Sequence, residues 1–297
     1  MTAALFAFTE QRQAAERLGR LCRLPVKPVE ARRFPDGESL VRVEAQARTA
    51  LLYASLDHPN PRIVELLLAA SALRDQGCER VMLIAPYLAY MRQDMAFHPG
   101  EAVSQRVIGR LLAGWFDGVM TVDPHLHRIA RLDEVIRGIP AISLSAAPVL
   151  AAAIGKAPDP RTILVGPDSE SRPWVESMAH PLGLDVLIGE KVRKGDRDVV
   201  LRVPGLAAVE GRPVVLVDDL ISSGTTLLAC AQLLREAGAT SIEALATHVL
   251  AADADLDRLA AGGISRIRAT DSVASRVASI ALAPVLGQAV RDAGWLA

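Results

Sequence analysis

Val214-Val215-Leu216-Val217-Asp218-Asp219-Leu220-Ile221-Ser222-Ser223-Gly224-Thr225-Thr226 is the stretch from which the fold can be read. Four aliphatic residues in succession suit a strand covered on both faces, and two adjacent carboxylates then end the apolar run. Leu227, Leu228, Ala231, Leu234 and Ala237 recur at helical spacing, and Gly238 stands where that helix should stop. The pattern predicts a strand over 214–217, a helix over 227–237 and a short loop between them. That loop lies at a helix N-terminus, where backbone N–H groups, the helix dipole, four hydroxyls and the small Gly224 favour a phosphate. Asp218 and Asp219 would repel a phosphate, so they are expected to face ribose hydroxyls or a magnesium shell. A polar turn with a good N-cap uses the same residue types, and it is the pair of acids on an apolar strand that favours the phosphate reading. No Gly-x-x-x-x-Gly-Lys-[Ser/Thr] run occurs, so this is not the common nucleotide P-loop.

Outward from this stretch, the chain repeats. Setting residue 53 against residue 214 without gaps lays Asp57 on Asp218, Arg74 on Arg235 and Gly77 on Gly238. Both copies carry a helical pattern, over 63–73 and 224–234, and both continue into a strand, over 81–84 and 242–246. The offset of 161 positions exceeds half of the 297 residues, which indicates two copies of one α/β unit rather than a solenoid. In the first copy the loop reads Asn60-Pro61-Arg62, with neither the Gly nor the hydroxyls. It is expected to keep the scaffold and lack the phosphate site.

The remaining segments fit this alternation. Residues 3–8 read as a strand and 10–22 as a helix. Arg33-Phe34-Pro35-Asp36-Gly37-Glu38 contains an Asp-Gly turn, and Leu40, Val41 and Val43 begin the strand after it, the pattern of a hairpin. Tyr90-Met91-Arg92-Gln93-Asp94 follows the strand at 81–84, a position where α/β proteins bind ligands, and an Arg-Gln pair can hold a purine or a phosphate. A helix over 103–112 and a strand over 118–122 lead to Asp123-Pro124-His125-Leu126-His127, whose two histidines share a side if the segment is extended. A shared metal is one reading and a hydrogen-bonded strand end is the other.

The stretch 140–153 opens the second domain, and 162–168 reads as a buried strand ending in Asp168. Three carboxylates on neighbouring strand ends are relieved of mutual repulsion by a divalent cation. A strand over 185–188 precedes the charged run Glu190-Lys191-Val192-Arg193-Lys194-Gly195-Asp196-Arg197-Asp198, which reads as a solvated loop. If extended, it sets Lys191 and Arg193 on one side, able to grip the same phosphate chain. A strand near 242–250, a helix over 253–261, a strand over 266–270 and a helix over 284–293 complete the chain.

Composition bounds the function. Half of the residues are apolar, aromatics make up 4%, and the formal net charge is −1, so no basic surface for nucleic acid or anionic membrane is indicated. Three widely spaced cysteines, Cys22, Cys78 and Cys230, support neither a disulfide framework nor a Cys-based zinc site. No run approaches the ~20 apolar residues of a membrane span, and a cytoplasmic metabolic protein is expected.

Taken together, and in order along nearly the whole chain, these motifs resemble the ribose-phosphate diphosphokinases (PRPP synthases), closer to the archaeal-type branch. The resemblance rests on Phe34-Pro-Asp36-Gly37-Glu38, Tyr90-Met-Arg92-Gln93-Asp94, Asp123-Pro-His125, Gly166-Pro-Asp168, Lys191-Val-Arg193 and the 214–226 stretch. It implies an α/β protein of two tandem type I phosphoribosyltransferase-like domains, each a mainly parallel sheet flanked by helices. The boundaries expected are 1–143 with the C-terminal helix 285–297, and 144–284, with the active site between them. It also implies transfer of the β,γ-diphosphoryl group of Mg-ATP to the 1-hydroxyl of ribose 5-phosphate. Arg92 and Gln93 would hold ATP, and Phe34, Asp36, Gly37 and Glu38 would arrive from a neighbouring subunit, so a homo-oligomer is implied. His125 and Asp168 would belong to the Mg2+ site. Ser222, Ser223, Gly224, Thr225 and Thr226 would hold the 5-phosphate, with Asp218 and Asp219 at the ribose hydroxyls and Lys191 and Arg193 as catalytic cations. Glu170 and Ser171 replace the small pair usual in the family. A phosphoribosyltransferase that consumes PRPP and a non-catalytic regulatory paralogue are the alternative readings.

Overall fold

Apolar runs without alternation require strands covered on both faces, and the chain builds them where the runs occur. Ala3–Phe8 (β1) and Thr49–Tyr53 (β4) are buried along their whole lengths. A computed structural model describes residues 2–126, 128–155, 158–193 and 199–296, and at 191–193, 199 and 200 the description stops at the backbone. The described chain forms two units, one of Met1–Ser145 with Ser272–Ala274 and Ala281–Ala297, the other of Ala146–Asp271 with Ser275–Ile280.

In the first unit β1 is followed by α1 (Arg12–Cys22), the antiparallel pair β2 (Val26–Arg33) and β3 (Ser39–Arg42), β4, and α2 (Pro59–Asp75). β5 (Arg80–Ala85), α3 (Ser104–Trp115), β6 (Gly118–Val122) and β7 (Ala141–Leu144) complete the run. The strands lie in the order β3-β2-β1-β4-β5-β6-β7, all parallel except β3. β7, within the stretch expected to open the second domain, is the edge strand of this sheet because its backbone pairs with β6. Helix α1 begins at Arg12 rather than at residue 10, after a turn of 3-10 helix over Thr9–Gln11.

The second unit runs α4 (Ala147–Ile154), β8 (Ile163–Gly166), α5 (Arg172–Ala179), β9 (Asp185–Ile188), β10 (Glu190–Arg193), β11 (Val199–Arg202) and β12 (Pro213–Ile221). α6 (Thr225–Glu236), β13 (Ser241–Val249), α7 (Asp253–Ala261), β14 (Arg266–Thr270) and β15 (Ala278–Ile280) follow. Its sheet has the order β15-β14-β13-β12-β8-β9 and is parallel throughout. The final helix α8 (Ala283–Asp292) packs on α1 in the first unit, where the Cys22 thiol lies 4.0 Å from the Gly287 carbonyl oxygen.

Each sheet has its own core. Leu52, Leu66, Leu83 and Val119 are wholly buried in the first, and Ile163, Val165, Leu216 and Leu234 in the second. Each such aliphatic side chain contributes roughly 1.5–3 kcal/mol by leaving water, and that burial holds the strand ends in place. The repeat is visible in the helix stops. Gly77 (φ 90°) and Gly238 (φ 88°) both end their helices in the left-handed region that glycine adopts without strain. Their N–H groups donate to Arg74 and Arg235 carbonyls, and the next residues, Cys78 and Ala239, donate to Leu73 and Leu234. No described helix is long and apolar enough to cross a membrane.

Candidate active site

β12 is the central strand that carries the acids, and it does not stop at residue 217. It runs through both carboxylates to Ile221, because β13 continues beside it and pairs Asp218 with Ala246, Leu220 with His248 and Ile221 with Val249. Backbone pairing thus outweighs the low strand propensity of two aspartates. Helix α6 begins at Thr225, with Gly224 as its N-cap in the left-handed region (φ 70°). A Cβ at Gly224 would meet Leu259 of α7 at 2.8 Å, so backbone conformation and space both demand glycine. The Ser223 and Thr225 hydroxyls are 3.1 Å apart, and Arg258 donates from Nη2 to the Ser223 carbonyl at 2.6 Å. Ser222, Ser223 and Thr225 are exposed and Thr226 is half-buried. The first-turn amides of α6 have no partner within the helix. The result is an open cradle of N–H and O–H donors, suited to a phosphate.

Above the cradle the charges oppose one another. The Asp219 N–H donates to Asp218 Oδ1 at 3.0 Å, and the Asp219 carboxylate is buried. Burial first, and then the charges of Asp219 and Asp168, push the Asp218 carboxyl well above the ordinary carboxylate range. Asp168 follows β8, the neighbour of β12, and is fixed there by local bonds. Its Oδ1 accepts from the Glu170 N–H at 3.2 Å and its carbonyl from the Ser171 hydroxyl at 2.6 Å. Gly166 leaves room for that hydroxyl, since a Cβ there would lie 2.1 Å from Ser171 Oγ. Ser171 is therefore a buried structural hydroxyl, and the Glu170 side chain is exposed. Below Asp218, burial and that carboxylate push the Cys230 thiol up to about 12.

The three acids make an oxygen-only donor set whose mutual repulsion a cation would relieve. No described group of three or more His, Cys, Asp or Glu side chains is close enough to form a ready-made metal cage. Magnesium needs none, since it binds through one or two carboxylates, waters and substrate phosphates. The donors present fit that ion.

The strand registers correct the gap-free alignment of the two copies. Ala50 pairs with Val81 as Val214 pairs with Ile242, so Ala54, and not Asp57, occupies the place of Asp218. Ser55 then stands where the second copy has Asp219. The difference is absorbed at the helix, because α2 already starts at Pro59, well before the aligned counterpart of Thr225. Where the second unit has its cradle, the first has a cavity of about 530 Å³ lined by Glu10, Arg33, His58, Asn60, Arg62 and Glu65. Its charges are satisfied internally. Arg33 pairs with buried Glu65 at 2.9 Å, and Arg62 pairs with Glu65 at 3.1 Å and with Glu10.

The other candidate residues of the first unit lie in three loops. Phe34, Asp36, Gly37 and Glu38 form the exposed turn between β2 and β3, at the edge of the sheet. The Phe34 N–H donates to the Glu38 carbonyl at 2.8 Å, and Gly37 takes φ 96°. Arg92 is exposed and Gln93 half-buried in the loop after β5. Asp94 is buried and accepts from the Arg128 backbone N–H at 3.2 Å and from its Nη1 at 2.7 Å. That pair ties the Arg92 loop to the one after β6, where half-buried His125 lies. Asp123 turns the chain at the end of β6, at φ 37°. His127 lies outside the described residues. His125 and Asp168 fall in different units.

Positions 191 and 193 belong to a strand rather than a loop. β10 pairs antiparallel with β11, with Lys191 opposite Leu201 and Arg193 opposite Val199. The Lys191 and Arg193 side chains, and residues 194–198, lie outside the description. Sequence reading passed over Arg128, Ser104, Gln105 and Arg258, which touch the candidate loops. Only tertiary contact picks them out among the many arginines and helical polar residues.

Two α/β units with mainly parallel sheets, one carrying a donor-rich turn after a double-acid strand, define a protein of the phosphoribosyltransferase fold class. The family model for the "N-terminal domain of ribose phosphate pyrophosphokinase" matches residues 3–114, and that for the "Phosphoribosyl transferase domain" matches 136–266. The chain is 34% identical to a ribose-phosphate pyrophosphokinase of Methanopyrus kandleri over 97% of its own length and 98% of the relative's. It is also 34% identical to the one from Methanothermobacter thermautotrophicus, over 90% of this chain and 93% of that one. The solved phosphoribosylpyrophosphate synthetase of Mycobacterium smegmatis is 27% identical, covers 99% of both chains and superposes with a TM-score of 0.83. The chain belongs to the ribose-phosphate pyrophosphokinase family.

Proposed function

We propose that this protein is a ribose-phosphate diphosphokinase, which converts ATP and ribose 5-phosphate into 5-phosphoribosyl 1-diphosphate and AMP. The observation that carries the reading is the α6 cradle beneath Asp218 and Asp219, in a chain that aligns with 98% of a pyrophosphokinase relative. The 5-phosphate sits against the α6 amides and the hydroxyls of Ser222, Ser223, Thr225 and Thr226. Asp218 and Asp219 accept hydrogen bonds from the ribose hydroxyls and orient the 1-hydroxyl. Arg92 and Gln93 hold ATP. The 1-hydroxyl oxygen bonds to the β-phosphorus, the bond from that phosphorus to the α,β-bridging oxygen breaks, AMP leaves with that oxygen, and the hydroxyl proton passes to solvent. Lys191 and Arg193 offset the negative charge that builds on the transferring phosphates.

Mg2+, held through Asp168, would screen the triphosphate when bound. The exposed edge hairpin with Phe34 supports a homo-oligomer in which that turn completes a neighbour's nucleotide site.

The test is direct. Purified protein with Mg-ATP and ribose 5-phosphate should yield AMP and a diphosphoribosyl product in equal amounts, read by 31P NMR. Lys191→Ala should lower kcat by an amount equal to about 2–4 kcal/mol of barrier. Absence of AMP from a folded preparation that binds both substrates would favour a regulatory paralogue, and product formation only from PRPP and a base would favour a phosphoribosyltransferase.

A further inference from the structure

The start of α3 is built against its own stability. Gln105, Gly109 and Leu112 form the buried stripe of this helix, and Gln105 is wholly buried where an aliphatic side chain would pack without cost. Its Nε2 donates to the Met91 carbonyl at 3.2 Å, while its Oε1 has no partner among the described residues. A half-satisfied buried amide calls for an explanation beyond packing. Its backbone N–H donates to the Gln93 carbonyl at 3.3 Å. Next to it the Ser104 hydroxyl donates to Gln93 Oε1, and the helix forgoes a side-chain cap, since Val103 supplies none. The first turn of α3 therefore grips the chain at Met91 and Gln93, on either side of exposed Arg92. The gripped segment needs holding. Tyr90, just before it, is in the left-handed region at φ 66°, which costs a non-glycine residue free energy that its surroundings must offset.

We propose that Ser104 and Gln105 are positioning residues for the nucleotide, fixing the Arg92–Gln93 pair in the geometry that receives ATP. This rests on the assignment of Arg92 and Gln93 to ATP. Because Ser104 engages Gln93 Oε1, the amide NH2 of Gln93 is left to donate to the ligand. Loss of the grip lets the pair sample conformers that bind nucleotide poorly, so its signature is selective for one substrate.

The experiment measures KM for Mg-ATP and for ribose 5-phosphate, kcat, and the Kd of a non-hydrolysable ATP analogue, in Ser104→Ala, Ser104→Thr, Gln105→Met and Arg92→Ala. Ser104→Ala should raise the nucleotide KM and Kd about fivefold, the effect of one hydrogen bond, and leave the ribose 5-phosphate KM within about twofold. Ser104→Thr, which keeps the hydroxyl, should restore the wild-type value, and Gln105→Met should weaken nucleotide at least as much as Ser104→Ala. Should Gln105→Met fail to fold, the Ser104 pair decides alone. Unchanged nucleotide binding in Ser104→Ala and Gln105→Met, with Arg92→Ala impaired, overturns the positioning role and leaves the site assignment standing. Unchanged binding in Arg92→Ala overturns both.

Discussion

Gly224 and Leu259 are in such close contact that a single added methyl at residue 224 would lie 2.8 Å from Leu259 Cδ1. The same glycine holds φ 70° at the start of α6. Gly224→Ala therefore incurs a left-handed penalty of about 1 kcal/mol and an overpacking cost of about 1–3 kcal/mol. A lower Tm and a weaker affinity for ribose 5-phosphate, with nucleotide affinity retained, are the expected outcomes. Adding Leu259→Ala should recover part of the loop geometry without recovering the backbone penalty.

Arg258 acts on the same loop from the other side, through its 2.6 Å bond to the Ser223 carbonyl. Its side chain is half-exposed and also paired with Asp255, so the expected effect is moderate. Arg258→Ala should raise the ribose 5-phosphate KM roughly fivefold, about 1 kcal/mol. Steady-state kinetics with each substrate varied in turn will check this, and an equal rise for ATP would point to general loosening instead.

Asp218 predicts a conflict between stability and function. Its folded-state pKa is raised well above the ordinary 3.8 by burial, Asp219 and Asp168. A raised pKa means the folded state holds its proton where the unfolded chain has lost it, so its stabilising contribution is full below pH 3.8 and fades as pH rises through the folded value. Asp218→Asn removes that fading. Denaturant titrations should find the variant no more stable than wild type in acid and increasingly more stable toward neutral pH, with ribose 5-phosphate binding impaired. Equal stability across the whole range would contradict the assigned repulsion.

The first unit should not take a sugar phosphate of its own. Ala54 and Ser55 replace the two acids in the register of β4, and the neighbouring cavity has Arg33 and Arg62 engaged by Glu65 and Glu10. Calorimetric titration with ribose 5-phosphate should give one site per chain. That site should vanish in a variant carrying Asp218→Ala and Thr225→Ala, and a second, unaffected site would refute the assignment.

Periodicity made much of this architecture readable. The helix at 253–261 and the strands at 118–122, 185–188 and 266–270 coincide with α7, β6, β9 and β14, since each is bounded by a local stop signal and carries one hydrophobic period. The end of β12 was not readable. Asp218 and Asp219 are poor strand formers, and they are extended because β13 supplies partners that only the folded sheet brings near. The gap-free repeat failed for the same reason: spacing along the chain holds the helix stops at Gly77 and Gly238, whereas strand register is set by neighbours.

What the sequence determined by itself was the α/β alternation, the duplicated unit and the donor-rich turn between β12 and α6, because side-chain period, glycine stops and turn residues are local properties. Tertiary structure alone decided which groups act on those loops. Arg258 on Ser223, Gln105 on Met91 and Arg128 on Asp94 join residues distant in sequence through hydrogen bonds, and Leu259 packs on Gly224. No periodic signal marks such pairs, since their energy depends on how the elements pack and not on the order of residues along the chain.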